Sequence, residues 1–139
     1  MGLDAERVAT GNRQARWAAR LFSLAAKHKV AMVIENPAQS MVWSLPAFVQ
    51  FQRVHQSTVL DYCGFGVPWR KTTRLLSCHT DMSALGSNRC HQAALRCSFS
   101  GLPYQVLSGW CKEEHKLWTA LASPYPGALA REAVKLMLK

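Results

Sequence analysis

A carboxylate stands at the end of the first strongly apolar run of the chain. Residues 29–34 are short, apolar and largely β-branched, and Glu35, Asn36 and Pro37 follow them directly. In open α/β sheets ligands bind beyond the carboxyl ends of the strands, and a carboxylate placed there loses hydration unless a partner or a function retains it. This pattern marks Glu35 as a candidate catalytic residue. The alternative is structural, with Glu35 capping backbone amides of the turn that follows.

A second group of reactive side chains lies between positions 64 and 74. Two glycines, at 64 and 66, let the backbone approach a ligand closely. Arginine and lysine bind phosphates, and an indole stacks on a nucleobase. The predicted nucleic-acid contacts are Asn36, Trp69, Arg70, Lys71 and Arg74. The alternative is a solvated turn whose indole covers an edge of the core.

Four of the five cysteines fall between positions 78 and 111, together with histidines. Structural zinc takes four ligands, usually as two close pairs, and no Cys-x-x-Cys pair exists here. A loop-rich stretch with few apolar residues nevertheless needs a cross-link, such as a bound metal ion, to stay compact. The predicted metal ligands are Cys78, Cys90 and Cys97 with one histidine. The alternative is a set of free thiols, because an odd number of cysteines argues against a disulfide framework.

The elements that position these groups alternate between helix and strand patterns. Apolar residues recur at spacings of three and four over 11–28, which predicts an amphipathic helix. The run 29–34 then predicts a buried parallel strand, and Pro46 opens a short helix that extends to position 51. A helix feeding a strand is half of a βαβ unit, so the first part of the chain predicts an α/β fold.

The second part of the chain predicts an antiparallel hairpin and then a long irregular stretch. Two β-rich runs flank a glycine-containing break with a basic tip, as in a hairpin. The predicted elements are strands at 57–62 and 72–78, a loop-rich Cys/His insertion at 79–111 with a strand at 104–107, and helices at 112–121 and 128–138. There is no internal repeat, and we expect one domain spanning 1–139.

Composition narrows the choice of partner. The 139 residues are 49% hydrophobic, and 17 Lys and Arg outnumber 8 Asp and Glu, giving a formal net charge of +9. No apolar run approaches the roughly 20 residues that cross a bilayer, and the N-terminus does not resemble a secretory signal. We therefore expect an intracellular protein, nuclear or nucleoid-associated, with an anionic partner: nucleic acid, most simply DNA, and no membrane.

The order of these motifs resembles that of the cytosine-5 DNA methyltransferases. That family carries a strand ending in Glu-Asn-Val, and later a Tyr/Phe-Gly-Val-Pro-Gln segment followed by alternating arginines. Here residues 33–37 read Val-Ile-Glu-Asn-Pro, and residues 65–74 read Phe-Gly-Val-Pro-Trp-Arg-Lys-Thr-Thr-Arg. The phage-like and transposon-like relatives of the family, with Glu-Asn-Pro and Phe-Gly-x-Pro, are closer still. Further matches are Ser40, Trp43, Pro46, Phe48 and the pair Tyr125-Pro126.

The resemblance covers residues 11–138 in patches and implies both a fold and a set of roles. The implied fold is a partial Rossmann-like methyltransferase sheet with an antiparallel edge hairpin and the 79–111 insertion. Glu35 and Asn36 would contact a flipped cytosine, and the basic segment would contact the DNA backbone. The sequence departs from the family at Pro37, at Trp69, and where Lys71 and Arg74 replace two evenly spaced arginines.

The same resemblance implies an incomplete catalytic apparatus. The family attacks the cytosine ring with the thiol of a Pro-Cys loop that precedes the Glu-Asn strand, and it binds S-adenosylmethionine through a glycine-rich loop in the first half of the fold. The 139 residues contain no Pro-Cys, and no such loop precedes Glu35. We expect a methyltransferase-like protein or fragment, inactive alone, that uses S-adenosylmethionine only if a complementary N-terminal half is supplied.

Three other interpretations remain open from the residues alone. Cys63 could replace the missing nucleophile, although a cysteine packed as a small apolar residue is commoner. The whole chain could instead be a non-catalytic basic module that binds nucleic acid, stapled by zinc, or a subunit that only docks to other proteins. Nucleic-acid binding and its salt dependence separate these functions.

Overall fold

A computed structural model describes residues 2–91 and 95–139. Within these ranges the chain runs through α1 (Gly2–Lys27), β1 (Met32–Pro37), a 3-10 helix (Met41–Ser44), α2 (Pro46–Val54), β2 (Gln56–Asp61), a 3-10 helix (Tyr62–Phe65), β3 (Thr72–Cys78), a 3-10 helix (Ser83–Ser87), β4 (Trp110–Cys111), β5 (Lys116–Leu117), α3 (Trp118–Leu121) and α4 (Gly127–Met137). The fold is therefore mixed α/β, as the sequence predicts.

The main sheet has three strands in the order β1-β3-β2, and both pairs are antiparallel. Strands β2 and β3 form the predicted hairpin, and β3 begins and ends at the predicted residues. The prediction of a buried parallel strand at 29–34 is wrong in pairing and burial. The strand begins at Met32, pairs antiparallel with β3, and is only half-buried, as expected of a strand at the edge of the sheet. Among the described residues its outer edge has no strand partner.

Helices cover both faces of this sheet. On one face α1 and α2 pack through Phe22 and Phe48 against Leu76 of β3. On the other, α4 and the 3-10 helix at 83–87 pack through Leu129 and Leu85 against strand residues that include Leu60 and Leu75. Because successive residues of a strand point to opposite faces, the two apolar clusters use alternate positions of the same strands.

Helix α1 is longer than the 11–28 pattern predicts and begins at Gly2. It ends with the hydrogen bond from the Val30 amide to the Ala25 carbonyl, 2.9 Å, across Lys29 in the left-handed region. This is the Schellman arrangement, which satisfies carbonyls that a helix end otherwise leaves unpaired. It turns the chain directly into β1. Within the described ranges, no helix combines the length and apolar character needed to cross a membrane.

The C-terminal part differs from prediction in two places. Residues 104–107 form no strand, and the nearest regular pairing is an isolated bridge between Arg96 and Pro103. The helix predicted at 112–121 is reduced to the single turn of α3, because residues 110–117 form the short β4–β5 hairpin instead. Helix α4, by contrast, lies within one residue of its predicted bounds at each end.

Candidate functional site

Glu35 lies in β1, near its carboxyl end, and three hydroxyl groups surround its carboxylate. Oε1 accepts hydrogen bonds from Thr73 Oγ1 and, at 3.4 Å, from the hydroxyl of Tyr62. Oε2 accepts from the hydroxyl of Tyr125 at 3.1 Å. Tyr62 and Thr73 are fully buried, whereas Tyr125 is 56% exposed. One carboxylate oxygen therefore faces the protein, and the other faces an exposed tyrosine.

The electrostatics of this cluster keep its phenols neutral. Burial, and next the charge of Glu35, raise the pKa of Tyr62 far above its usual value. Burial and the same carboxylate also raise the pKa of Tyr125. A neutral phenol remains a hydrogen-bond donor, so both tyrosines keep donating to Glu35 over the whole physiological range.

Asn36 does not share a site with Glu35, because neighbouring strand residues point to opposite faces. Asn36 lies opposite Arg74 in the register of β1 and β3. Arg74 donates from Nη1 to Gln52 Oε1, and its guanidinium lies 5.6 Å from the centre of the Trp43 ring. The predicted nucleic-acid contacts Asn36 and Arg74 are thus placed together, on the face that carries α1 and α2.

The other predicted nucleic-acid contacts all pack against, or pair with, other side chains of the chain. Trp69 packs against the apolar cluster beneath α4, and its Nε1 is buried with no hydrogen-bond partner among the described residues. Lys71 Nζ lies 4.8 Å from the centre of the Tyr62 ring, a cation–π distance that brings a positive charge to the Glu35 face. The segment is therefore a packed edge with partly exposed cations and not a solvated tip.

Arg70 is held by Asp61, a residue that the sequence reasoning missed. Asp61 is fully buried and its Oδ1 accepts from Thr72 Oγ1 and from Arg70 Nε at 3.3 Å. Its Oδ2 accepts from the Cys90 amide at 2.8 Å and pairs with Arg89 Nε at 3.4 Å. Burial by itself would raise the pKa of Asp61, but these donors and the two guanidinium charges lower it. The only sequence signal for this hub is an acidic residue at the end of a β-rich run.

Three buried cysteines form the second candidate site. The sulfur atoms of Cys63, Cys90 and Cys97 all lie within 4.8 Å of one another, so they could hold a metal ion. Cys90 Sγ accepts from the Ser98 amide at 3.2 Å and lies 2.7 Å from the hydroxyl of Tyr104. Hydrogen bonds of this kind orient a metal-binding thiolate and stabilise its charge.

The thiols of this cluster differ in acidity. Burial, together with hydrogen bonds to the other two thiols, raises the pKa of Cys63 to about 12. Burial would also raise the pKa of Cys90, but the hydroxyls of Ser98 and Tyr104 and the Ser98 amide lower it to about 7. Of these two thiols, Cys90 is therefore the one that loses its proton more readily.

The grouping of ligands differs from the predicted set. Cys90 and Cys97 are together, but Cys78 belongs to the apolar cluster under α1, where its Sγ lies 3.7 Å from the Val30 carbonyl oxygen. Cys63 stands in the place assigned to Cys78. Among the described residues no histidine joins the three cysteines. Cys63 could have been suspected from its position at the start of the glycine-containing connection between two strands.

Gly64 allows the two halves of the cysteine cluster to meet. A Cβ added at Gly64 would lie 2.8 Å from Asn88 Cβ, which is closer than real Cβ atoms approach, and 3.2 Å from Asn88 Cα, which is a tight contact. We expect Gly64→Ala to push the 88–90 segment away from Cys63 and to lower stability by about 1–3 kcal/mol. Urea unfolding measures the loss. Gly11→Ala, with nothing within 4 Å of its added Cβ, is the matched control, and an equal effect of both would contradict this account.

Comparison of the chain with protein-family models, with curated proteins and with solved structures found no match. The structure itself defines a mixed α/β domain. It has a carboxylate surrounded by hydroxyl groups on one face of the sheet and a buried cluster of three thiols beside the β2–β3 hairpin.

Proposed function

We propose that this chain is the base-binding part of a methyltransferase-like domain related to the cytosine-5 DNA methyltransferases. The observation that carries the proposal is the Glu35 carboxylate, held on Oε1 by two buried hydroxyls and open on Oε2 to the exposed Tyr125. In the cytosine-5 resemblance, the matching glutamate holds the flipped base. The residues around Glu35 suit that role.

A carboxylate oxygen that accepts hydrogen bonds matches the amino group that cytosine presents. An extruded base is read by hydrogen bonds to its edge and by stacking on aromatic rings. Glu35 Oε2 would accept from the cytosine amino group, with Tyr125 moving aside to lie against the base. Lys71, at the Tyr62 ring, would meet the phosphate that flanks the flipped nucleotide.

The sheet supports a Rossmann-like interpretation. Strands β1 and β2 run in the same direction with β3 antiparallel between them, as at the closing edge of a methyltransferase sheet. The outer edge of β1 has no strand partner among the described residues, so further strands could continue the sheet there. A complementary N-terminal half would pair at this edge and supply the cofactor loop and the attacking thiol. S-adenosylmethionine would be the methyl donor bound by that half.

Glu35→Gln provides the test. Wild-type protein is expected to bind a duplex with a mismatched cytosine more tightly than a fully paired duplex, because extruding a mismatched base costs less. The variant should lose about tenfold in affinity for the mismatched duplex, since a hydrogen bond to a charged group contributes about 1.5–3 kcal/mol. Fluorescence anisotropy at fixed salt measures both affinities. Glu114→Gln, at an exposed carboxylate, is the control.

The same titrations separate this proposal from a second candidate function. A non-catalytic basic module stapled by zinc is favoured by the buried cluster of Cys63, Cys90 and Cys97. Such a module would bind paired and mismatched duplexes alike, would show the salt slope expected of phosphate contacts, and would be unaffected by Glu35→Gln. For either function we propose a nuclear or nucleoid-associated location, because the partner is DNA.

A further inference from the structure

The cysteine cluster and the two arginines beside Asp61 are parts of one connected network. Cys90 links them, because its backbone amide donates to Asp61 Oδ2 while its sulfur faces Cys63 and Cys97. Arg89 precedes Cys90 in the chain and pairs with the same carboxylate oxygen at 3.4 Å. Arg70 pairs with the other oxygen of Asp61. The Cys90 segment therefore shares one carboxylate with both guanidinium groups.

The chemistry of the cluster fits zinc. Zinc binds thiolate sulfur at about 2.3 Å in tetrahedral geometry, so ligand sulfurs lie within about 4 Å of one another, and a spread of up to 4.8 Å needs only small side-chain rotations. All three sulfurs are buried, and Cys90 already receives the hydrogen bonds that support a bound thiolate. The described residues supply three of the four ligands that a tetrahedral zinc ion takes.

The charges around the cluster balance a zinc centre. Three thiolates and one Zn²⁺ carry a net charge of minus one, and Asp61 carries another. Arg70 and Arg89 together offset both. Burial lowers the pKa of Arg70, but the charge of Asp61 and the hydrogen bond to it raise that pKa above its usual value, so the guanidinium remains ionised. The zinc centre, Asp61 and the two arginines would together carry no net charge.

We propose that Cys63, Cys90 and Cys97 bind one Zn²⁺ and that this metal, through Cys90 and Asp61, holds Arg70 and Arg89 in place for nucleic-acid binding. Their side chains are 28% and 39% exposed, so each can reach a phosphate while its Nε stays on Asp61. The zinc centre rests on the thiol geometry alone, whereas its control of the arginines rests on the proposed nucleic-acid function.

Metal binding is tested first, on the full chain. The purified protein is stripped with a chelator and titrated with Zn²⁺ or Co²⁺ alone. We expect one metal per chain, a charge-transfer band from thiolate to cobalt, and the intense visible ligand-field bands of tetrahedral Co²⁺. Cys63→Ser, Cys90→Ser and Cys97→Ser should each weaken zinc affinity by at least about tenfold, since even changes to groups that hydrogen-bond a ligand cost that much. Cys111→Ser, at a buried thiol outside the cluster, is the control.

Three outcomes would overturn the zinc centre: no metal at a ratio of one per chain, an equal loss of affinity in Cys111→Ser, or a mass spectrum showing a disulfide within the cluster of the protein as isolated under reducing conditions. If a cysteine variant does not fold, the cobalt titration of the wild-type chain and its reversal by chelator still decide the point.

The link to the arginines is tested with duplex DNA at low salt. We expect the metal-free chain to bind less tightly than the zinc-loaded chain, and its salt slope to fall by about two, because each lost phosphate contact removes about 0.9. Equal affinity with and without zinc would overturn the link and leave the DNA-binding function standing. No DNA binding by the zinc-loaded chain would overturn that function, and with it the link, but not the zinc centre.

Discussion

Asp61→Ala is expected to lower the free energy of unfolding by about 3–5 kcal/mol, the range seen when one partner of a buried ion pair is removed. The Asp61 carboxylate is fully buried and accepts from Arg70, Thr72, Arg89 and the Cys90 amide. Alanine would leave all four donors without this acceptor. Arg89, at 39% exposure, can turn to water and contributes the smaller share. Urea unfolding followed by circular dichroism measures the loss.

Two controls separate the ionic hub from a general effect of losing a carboxylate. Asp4→Ala, at an exposed position in the first turn of α1, should cost less than about 1 kcal/mol. Asp61→Asn keeps the shape but offers one acceptor oxygen and no charge, so its cost should fall between the two. If Asp61→Ala were as mild as Asp4→Ala, the contacts of Asp61 would not stabilise the fold.

Phe22→Ala is expected to cost about 3–5 kcal/mol, because it removes a fully buried aromatic ring from a packed core. The Phe22 ring centre lies 4.9 Å from that of Phe51 and 5.2 Å from that of His55. These two ring contacts join α1 to Phe51 of α2 and to His55, the residue that follows α2. Losing it should release α1 from the sheet before the rest of the domain unfolds.

Thermal unfolding and hydrogen exchange of the α1 amides measure this effect. Leu24→Ala is the control, because Leu24 lies on the same helix at 54% exposure and should cost less than about 0.5 kcal/mol. Phe22→Leu should fall between the two, since it keeps most of the apolar volume. Equal effects of Phe22→Ala and Leu24→Ala would show that α1 does not depend on this ring for its attachment.

Features with a local cause could be predicted from the sequence. The spacing of apolar residues places α1 and α4, Pro46 begins α2, and two β-rich runs flanking glycines become β2 and β3. The strand predicted at 104–107 and the helix predicted at 112–121 are wrong. Residues 110–117 form the β4–β5 hairpin, which leaves only the turn of α3 for the helix. Residues 104–107 carry only a weak β preference, which does not specify a strand by itself.

The composition of each site depended on contacts between distant residues. Glu35 could be singled out because it follows an apolar run, but its partners Thr73 and Tyr125 lie 38 and 90 positions away along the chain. They reach Glu35 only because β3 lies beside β1 and the connection before α4 lies over their common face. Because successive residues of a strand point to opposite faces of the sheet, Asn36 is separated from Glu35.

The cysteine cluster likewise depends partly on the local sequence and partly on contacts between distant residues. Their residue type and crowding, visible in the sequence, indicate a metal site, but the hairpin decides which of them meet. Cys63 follows the end of β2, where Asp61 pairs with Thr72, the first residue of β3. Cys78 is the last residue of β3, six residues beyond Thr72, which is about 20 Å along a strand. The sequence by itself therefore determined α1, α2, α4, the β2–β3 hairpin and the kinds of reactive residue, because these depend on local spacing. The tertiary structure alone decided that Cys63 joins Cys90 and Cys97 and that Asp61 holds the arginines, because strand register and the close approach at Gly64 bring those residues together.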